Sequence, residues 1–559
     1  MFKSFINTIF LIIAFLSLFS CEKPSASSGK QSQLSFTDVT ESAGLSKFKH
    51  ASGAVGNKWF PESMGSGCGF IDYNSDGWVD ILLVGGGNWP NKSSPPSPSL
   101  FLYENNKDGT FKNMTIESGL DGIYSYGFGV CVADYDNDDD DDFFFTTIWN
   151  NYLFRNDNGV FTDVSGGSGL ENDSLWSTTS IFFDANKDGF LDLFVGSYVD
   201  WGPENDIWCT LDGSTKNYCT PELYSGVASR FYQNNGDGTF SNKTEDAGFL
   251  PSPGKMLGAS ELDFNDDGWP DLAIASDTQR DLLYQNNGDG TFDEIGAISG
   301  VAYDENGRAR AGMGIDVGVI DKSGKETIFV GNFSKEMISV FRHSNGQFFE
   351  DISAISKVGR PSLMTLTFGL FLLDVDLDGD LDLYTANGHV QIGIEDTQDG
   401  IFYREPSHLF LNDGNGVFSD IVPLIGGALS KPIVGRGAAY ADYDNNGTLD
   451  ILVTENNGPV HLIRNNNLNN YLRVKIKSIN SNRDGIGAKL IAITKDNRMI
   501  RKIKTGSSFM SHSEITITFG LGKNQMVDSL YVYWPNNKVD IFLDIQSSQE
   551  ILIVEEKTN

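Results

Sequence analysis

Six nine-residue windows along this chain share one template: DYNSDGWVD (Asp72 to Asp80), DYDNDDDDD (Asp134 to Asp142), DANKDGFLD (Asp184 to Asp192), DFNDDGWPD (Asp263 to Asp271), DVDLDGDLD (Asp374 to Asp382) and DYDNNGTLD (Asp442 to Asp450). Each runs straight into an apolar stretch such as ILLVGG, LFVGSY or ILVTEN. A seventh, worn copy fills a gap in the series: GMGIDVGVIDKSGKETIFVGN keeps the apolar flanks, with Asp321 as its only acid at a template position. Neighbouring copies start between 50 residues apart (Asp134 to Asp184) and 79 apart (Asp184 to Asp263). That suits a four-stranded unit with loops of varied length and is too long for a helical or leucine-rich repeat.

A second series interleaves with the first: YENNKDGTF ending at Phe111, FRNDNGVF at Phe161, YQNNGDGTF at Phe240 and again at Phe292, FRHSNGQFF around Phe348, and FLNDGNGVF at Phe418. Asn-Gly and Asp-Gly pairs between apolar runs mark tight hairpins. The last acidic window is followed by VHLIRNNN, which has no partner strand. Near the other end of the chain Phe36-Thr37-Asp38-Val39 matches FTDV at Phe161 and has no hairpin before it. The N-terminal strand is therefore expected to complete the last repeat and close a ring, because closure removes the open edges of a linear array. The expected fold is all-β: a seven-bladed β-propeller over 35–468, closed by an N-terminal strand and followed by a small β-sandwich-like domain over 469–559, whose runs YLRVKIKS and EITITFGLG alternate apolar and polar residues.

Composition says what the acidic windows are for. Lys plus Arg number 41 against 75 Asp plus Glu, a net charge of −34, and the six windows hold 25 of those acids. Such a surface repels nucleic-acid phosphates and anionic membranes and calls for cations. In DxDxDGxxD, positions one, three and five point inward around a turn, position seven offers its carbonyl, and the ninth carboxylate closes an all-oxygen cage for a hard cation. The ligand sets are Asp72, Asn74, Asp76, Trp78 and Asp80; Asp134, Asp136, Asp138, Asp140 and Asp142; Asp184, Asn186, Asp188, Phe190 and Asp192; Asp263, Asn265, Asp267, Trp269 and Asp271; Asp374, Asp376, Asp378, Asp380 and Asp382; and Asp442, Asp444, Asn446, Thr448 and Asp450. Flexible spacing and six or seven ligands suit Ca²⁺ over Mg²⁺, giving about six sites with a structural role. An EF-hand would carry Glu at position twelve, where apolar residues such as Leu83 stand. The alternative is a set of solvated turns. The second window departs from the template with Asp139 in place of Gly. The fifth copy, with Ser323 and Lys325 at ligand positions, is expected to bind no calcium.

These windows and their flanks resemble FG-GAP or VCBS repeats of integrin-α-like propellers, from about Phe36 to Asn467. From Tyr471 to Glu556, NRDGIGAKL, TGSSFMSHS, FGLG and VYWP resemble the ASPIC/UnbV domain. The combination is similar to the cartilage acidic protein 1 family and its bacterial relatives, a resemblance that implies architecture and no shared reaction.

Residues 1–20 carry Lys3 and an apolar run from Phe5 to Phe19 and read as an export signal. Leu18-Phe19-Ser20-Cys21 resembles a bacterial lipobox, which would lipidate Cys21 and leave 21–34 as a flexible tether; a plain secretory signal with a chance cysteine is the alternative. Export permits disulfides. Cys209 and Cys219, ten apart in one loop, are expected to be bridged, and Cys68 and Cys131 to be buried free thiols.

Alternation of strand direction puts the acidic loops and the hairpins on one face of the ring and the long, varied connections on the other. His50, Trp89, Trp201, Arg308, Arg310, His389 and Arg436 fall there, as do Trp59, Trp149, Trp176 and Trp208. The two histidines and three arginines are candidates for convergence near a central channel; the competing reading is that they pack loops and pair with local acids. The tryptophans are divided between a binding surface and core. No Ser-His-Asp pattern, phosphate-binding Gly loop or His-rich zinc spacing is present. The sequence thus points to an exported lipoprotein of the outer membrane or cell surface, acting as a calcium-binding adhesion or binding module for an extracellular protein or glycan. Its membrane contact is through the lipid alone. A carbohydrate-active lyase or dehydratase is the alternative.

Overall fold

The inner strands of the repeats are buried along almost their whole length because both of their faces meet a neighbouring sheet, whereas the short outer strands bury one residue and expose the next. The computed structural model describes residues 34–557 apart from 88, 90–97, 171–173, 250–252 and 345–347. The expected signal, lipidated Cys21 and most of the tether lie outside the described residues.

Seven four-stranded antiparallel sheets follow one another along the chain. The first is typical: Cys68–Ile71, Asp80–Val84, Leu100–Asn105 and Phe111–Asn113, from inside to outside. Every residue of its two inner strands is buried, while the outer strand buries Phe111 and exposes Lys112 and Asn113. The acidic window joins the first strand to the second, and the Asn/Asp-Gly hairpin joins the third to the fourth. In the fifth sheet the outer strand starts at Phe349, which is buried, whereas Phe348 is 53% exposed. The innermost strands (Cys68–Ile71, Gly127–Ala133, Ser177–Phe183, Met256–Leu262, Ile315–Val319, Thr367–Leu373 and Gly435–Ala441) touch their neighbours in cyclic order, the last against the first. Closure is made as the repeat count requires. Phe36–Asp38 is the outer strand of the seventh sheet, pairing Phe36 with Asn465, Thr37 with Arg464 and Asp38 with Ile463.

The C-terminal part has two sheets. One has three strands, with Asn470–Lys477 between Ile517–Gly522 and a parallel neighbour, Gln549–Val554; the other has four, Arg498–Lys502, Lys489–Ile493, Met526–Tyr533 and Val539–Gln546. Leu472, Val474, Leu490, Val532 and Trp534 share one core with Cys131, Phe182 and Leu193 of the ring, so the tail packs on the propeller and the described residues from Leu34 onwards form a single unit.

The tail also enters the ring. Its segment Thr505 to Ser513 bonds to the innermost strand of every sheet: His512 N–H to Cys68 O (2.9 Å), Val130 N–H to Met510 O (3.3 Å), Phe182 N–H to Thr505 Oγ1 (3.0 Å), Ser260 Oγ to Gly506 O (2.9 Å), Ser508 N–H to Ile315 O (2.7 Å), Leu370 N–H to Ser508 Oγ (3.2 Å) and Tyr440 N–H to Ser513 Oγ (3.1 Å). Inner strands aim unpaired backbone groups at a propeller's axis, and this segment satisfies one or more on six of the seven and takes the Ser260 hydroxyl on the fourth. Gly67 shows how close the fit is, since a Cβ there would lie 1.6 Å from the Met510 carbonyl oxygen. Cys68 and Cys131 are free and buried in these inner strands, as expected from the sequence.

Candidate metal centre and the two faces of the ring

The acidic windows fold alike because their carboxylates first organise their own turns. Asp72 accepts hydrogen bonds from the N–H groups of Asp76 (2.9 Å) and Gly77 (3.1 Å); Asp134, Asp184 and Asp442 do the same at the corresponding residues. Position five accepts from the N–H of position seven, as Asp267 does from Trp269 at 2.8 Å. Position six sits in the left-handed region: Gly77 at φ 82°, Gly268 at 83°, and Asp139, the departure from the template, at 80°. The aspartate is held there by the tail, with Lys477 Nζ at 2.7 Å and Arg483 Nε at 3.1 Å from its Oδ1.

What remains after these bonds is a set of inward carboxylate oxygens. Asp80 Oδ2, Asp136 Oδ1, Asp263 Oδ1, Asp374 Oδ1, Asp444 Oδ1 and Asp450 Oδ2 are buried and accept no hydrogen bond. In three windows (Asp134, Asp136 and Asp142; Asp374, Asp376 and Asp382; Asp442, Asp444 and Asp450) one oxygen from each residue lies within 4.8 Å of the others. These groups have the spacing and the oxygen donors to hold a metal ion. Burial pushes Asp80, Asp134, Asp271 and Asp374 up to about 8, and a bound cation would offset that penalty on the ionised form. Buried, unpartnered, clustered oxygens fit a hard cation better than they fit solvated turns.

The fifth copy differs from the sequence reading in one respect. Val319 pairs with Glu326 as Leu262 pairs with Asp271, so Glu326 occupies the closing position and the copy has two acids at template positions. Its loop is two residues shorter, 320–325 against 263–270, and Lys325 reaches Asp266 of the preceding window.

The ninth carboxylate has a partner that spacing alone did not reveal. In each of six sheets it accepts the backbone N–H of an asparagine ending the third strand: Asn105, Asn156, Asn234, Asn286, Asn412 and Asn465, at 2.7 to 2.9 Å. The side-chain amide of that asparagine donates to the preceding sheet's loop, at Tyr443, Tyr73, Tyr135, Ala185, Ile320 and Val375 respectively. The repeated Asn of YENN, FRND, YQNN and FLND carried that signal.

The tail covers the loop face. Arg501 lies 3.5 Å from Asp374, Arg473 3.3 Å from Asp442, Lys475 3.7 Å from Asp72 and Lys502 2.7 Å from Glu261, while Lys504 pairs with Asp316. The disulfide Cys209–Cys219 stands on the varied face (S–S 2.06 Å). The hairpin it closes spans toward two other sheets' loops, with Asn217 donating to Ile392 O at 3.2 Å and Tyr218 OH to Glu62 Oε2 at 3.3 Å.

The candidate ligand residues divide. Trp89 and Trp201 are buried with Trp176 in one aromatic cluster with Phe509 and Met510 of the plug, and the half-buried Trp59 and Trp149 pack against it. Trp89 stacks on Tyr126 with ring centres 4.2 Å apart. Trp208 alone of the six tryptophans on this face is exposed, at 55%. His50, His389 and Arg436 do come together, but they are buried. Arg436 donates to the carbonyls of Ser63, Gly388, Gly435 and His389, and burial followed by its charge lowers His50 to about 3 and His389 to about 4. Arg308 is exposed, and Arg310 turns to Asp351 (3.0 Å) and Ser339 (2.7 Å) in the fifth sheet. Of the five candidates for convergence three come together, and they pack loops as the competing reading had it, because a guanidinium enclosed by four carbonyls has no donor left for a substrate.

A ring of β-sheets carrying Asp-rich loops, plugged by its own C-terminal domain, is the class of protein that the fold and site define. The chain carries FG-GAP-like repeats, matched at residues 72–145, 134–195, 263–318 and 400–453, and an ASPIC and UnbV domain, matched at 478–559. It is similar to cartilage acidic protein 1 of Xenopus tropicalis, with 25% identity over 86% of this chain and 71% of that protein, and to the Homo sapiens protein, with 22% identity over 86% and 70%. Among solved structures it is similar to an Agrocybe aegerita lectin recognising non-reducing terminal N-acetylglucosamine (TM-score 0.41, 15% identity, 71% of this chain and 94% of that one). A second similarity is to the BP39L lectin of Burkholderia pseudomallei (TM-score 0.42, 10% identity, 72% and 96%), and a third to the rhamnogalacturonan lyase YesW (TM-score 0.31, 11% identity, 92% of each).

Proposed function

We propose that this protein is an exported, lipid-anchored β-propeller, rigidified by about six calcium ions, which binds an extracellular protein or glycan through its varied-loop face. The observation that carries this reading is the placement of the tail. It covers the loop face and threads the axis, so the face left for a partner is the one bearing the long connections, with Trp208, Leu223 and Phe402 exposed on it. Loops held on a rigid scaffold are where recognition is usually placed. Calcium is supported by the unpartnered carboxylate oxygens in five of the six windows. The lipid anchor is supported by the LFSC sequence ending at Cys21. The enzyme alternative draws no support from Arg436, whose N–H groups all donate to backbone carbonyls, or from His50 and His389, which are buried and accept a backbone N–H at Nδ1.

Glycan-array and secreted-protein binding screens on the soluble form from Lys23 onwards test the reading. A ligand whose binding is lost in Trp208→Ala is the expected result, and binding that survives removal of the varied-face aromatics would overturn the assignment of the face. Cys21→Ser is expected to move the protein to the soluble fraction, since acylation supplies the membrane affinity; unchanged membrane fractionation would remove the anchor.

A further inference from the structure

Between the loop face of the propeller and the four-stranded sheet of the tail lies a cavity of about 250 Å³. It sits at the junction of the fourth and fifth sheets, where the repeat breaks down. The fifth window is the short one without an acid ring. At the same junction the asparagine that stitches each other sheet to its neighbour is replaced by His343. His343 is 8% exposed and neither ring nitrogen has a hydrogen-bond partner among the described residues. A second break lies on the inner strand of the fourth sheet. Where the matching register positions hold Phe70, Val132, Phe182, Leu372 and Tyr440, this sheet holds Glu261. Glu261 is 1% exposed; Lys502 lies 2.7 Å from its Oε1, and its Oε2 accepts no hydrogen bond. A buried imidazole and a buried carboxylate oxygen left without hydrogen-bond partners, lining one cavity, call for a ligand that supplies them.

The chemistry of the walls says which ligand. On the propeller side acids, Glu261, Asp316 and Glu326 among them, outnumber the two lysines Lys187 and Lys325, whereas the tail side carries only cations, Lys489, Arg501, Lys502 and Lys504. Lys502 and Lys504 are neutralised by Glu261 and Asp316. Lys489 is not: its ammonium stands 5.5 Å from the Tyr533 ring centre, with no carboxylate within 4 Å among the described residues. Between the charged walls the lining is apolar, including Phe264, Leu372, Ile500 and Ile517. A net anion or cation would be attracted by one wall and repelled by the other, whereas a dipolar molecule is matched to both, and exclusion of water strengthens that match.

We propose that this cavity binds a zwitterion of amino-acid size with an apolar side chain, its ammonium toward Glu261 Oε2 and its carboxylate toward Lys489. The loss of metal ligands in the fifth copy is then a change of use, because a short loop without an ion leaves room beside the tail. The site is separate from the varied face and stands or falls independently of what that face binds.

Isothermal titration calorimetry on the calcium-loaded chain from Lys23 onwards decides the matter, with L-leucine and L-phenylalanine as probes and isocaproate, isoamylamine and glucose as comparisons. At least one amino acid is expected to bind one-to-one, at least tenfold tighter than any comparison compound, and to weaken at least tenfold in Glu261→Gln and in Lys489→Met. Lys489 is exposed at the mouth, so Lys489→Met keeps the test valid if Glu261→Gln, which deprives Lys502 of its partner, fails to fold. Binding of neither amino acid, equally tight binding of isocaproate, isoamylamine or glucose, or unchanged affinity in Lys489→Met would each overturn the proposal.

Discussion

The side-chain amide of Asn105 donates to the backbone carbonyl of Tyr443 at 2.8 Å, joining the first sheet to the seventh across 338 residues of chain. The same bond recurs at five further junctions, and the junction of the fourth and fifth sheets carries His343 instead. The ring is thus stitched by one buried amide per sheet with a single gap. Each amide also serves the metal loop, because the same asparagine's N–H holds the ninth carboxylate.

Asn286→Ala tests the stitch. It removes the donor to Ala185 O and Pro270 O, and leaving such buried carbonyls unpaired is expected to cost about 2 kcal/mol. Urea unfolding reads this directly, and a variant as stable as the parent would show that water replaces the amide without loss.

Calcium removal should be visible in stability. A ligand that binds only the folded state contributes about 2.7 kcal/mol per site at a hundredfold excess over its Kd, so chelation is expected to lower Tm by many degrees and calcium to restore it better than equimolar magnesium. Asp267→Ala should reduce bound calcium by about one ion per chain, and Lys325→Ala should leave the count unchanged. Metal analysis finding fewer than about three ions per chain would return most of the loops to solvated turns.

The clasp of the ring should respond to pH. His461 lies 2.8 Å from Glu455 and 3.7 Å from Asp38 of the N-terminal strand. Burial lowers the imidazole's pKa, but hydrogen bonds to Asp38 and Glu455 outweigh it and hold the pKa above the ordinary 6.5. Hydrogen bonding to His461, together with Thr40, holds Asp38 well below its ordinary 3.8. A raised histidine contributes stability below its unfolded pKa and loses it as pH rises through the folded one, whereas a depressed aspartate loses its contribution as pH falls. The clasp is therefore strongest between about pH 4 and 6.5. His461→Gln is expected to cost on the order of 1 kcal/mol at pH 6, a modest figure because Asp38 is partly solvated, and little at pH 9. Equal losses at both pH values in thermal melts would contradict it.

The plug is testable at its tip. Phe509 is fully buried, with its ring centre 4.8 Å from that of Phe368, and Phe509→Ala should destabilise the whole chain by about 3–5 kcal/mol. If propeller and tail instead melted in two separate calorimetric transitions, with only the tail affected, the single unit described above would have to be divided.

The sequence by itself determined the ring. Repeat spacing, alternation and the orphan FTDV strand required closure by Phe36–Asp38, because an open edge needs a partner wherever it lies in the chain. It also determined the shape of the acidic loops, since Asx turns and a left-handed sixth residue are written within nine residues. The Cys209–Cys219 bridge was legible for the same reason, as both ends lie in one loop. Tertiary structure alone decided what distant segments do. TGSSFMSHS has no periodicity of its own, and its role appears when six of the seven inner strands offer it backbone groups and the fourth its Ser260 hydroxyl. Basic residues such as Arg473 and Arg501 acquire partners when the tail lies on the loop face. His50, His389 and Arg436 show the opposite case: residue types suited to a site are drawn into packing, Arg436 because the carbonyls around it needed donors and the two histidines as acceptors of the Asn457 and Gln391 N–H groups. Local geometry follows from neighbouring residues, whereas burial and pairing across the ring depend on which surfaces the folded chain brings together.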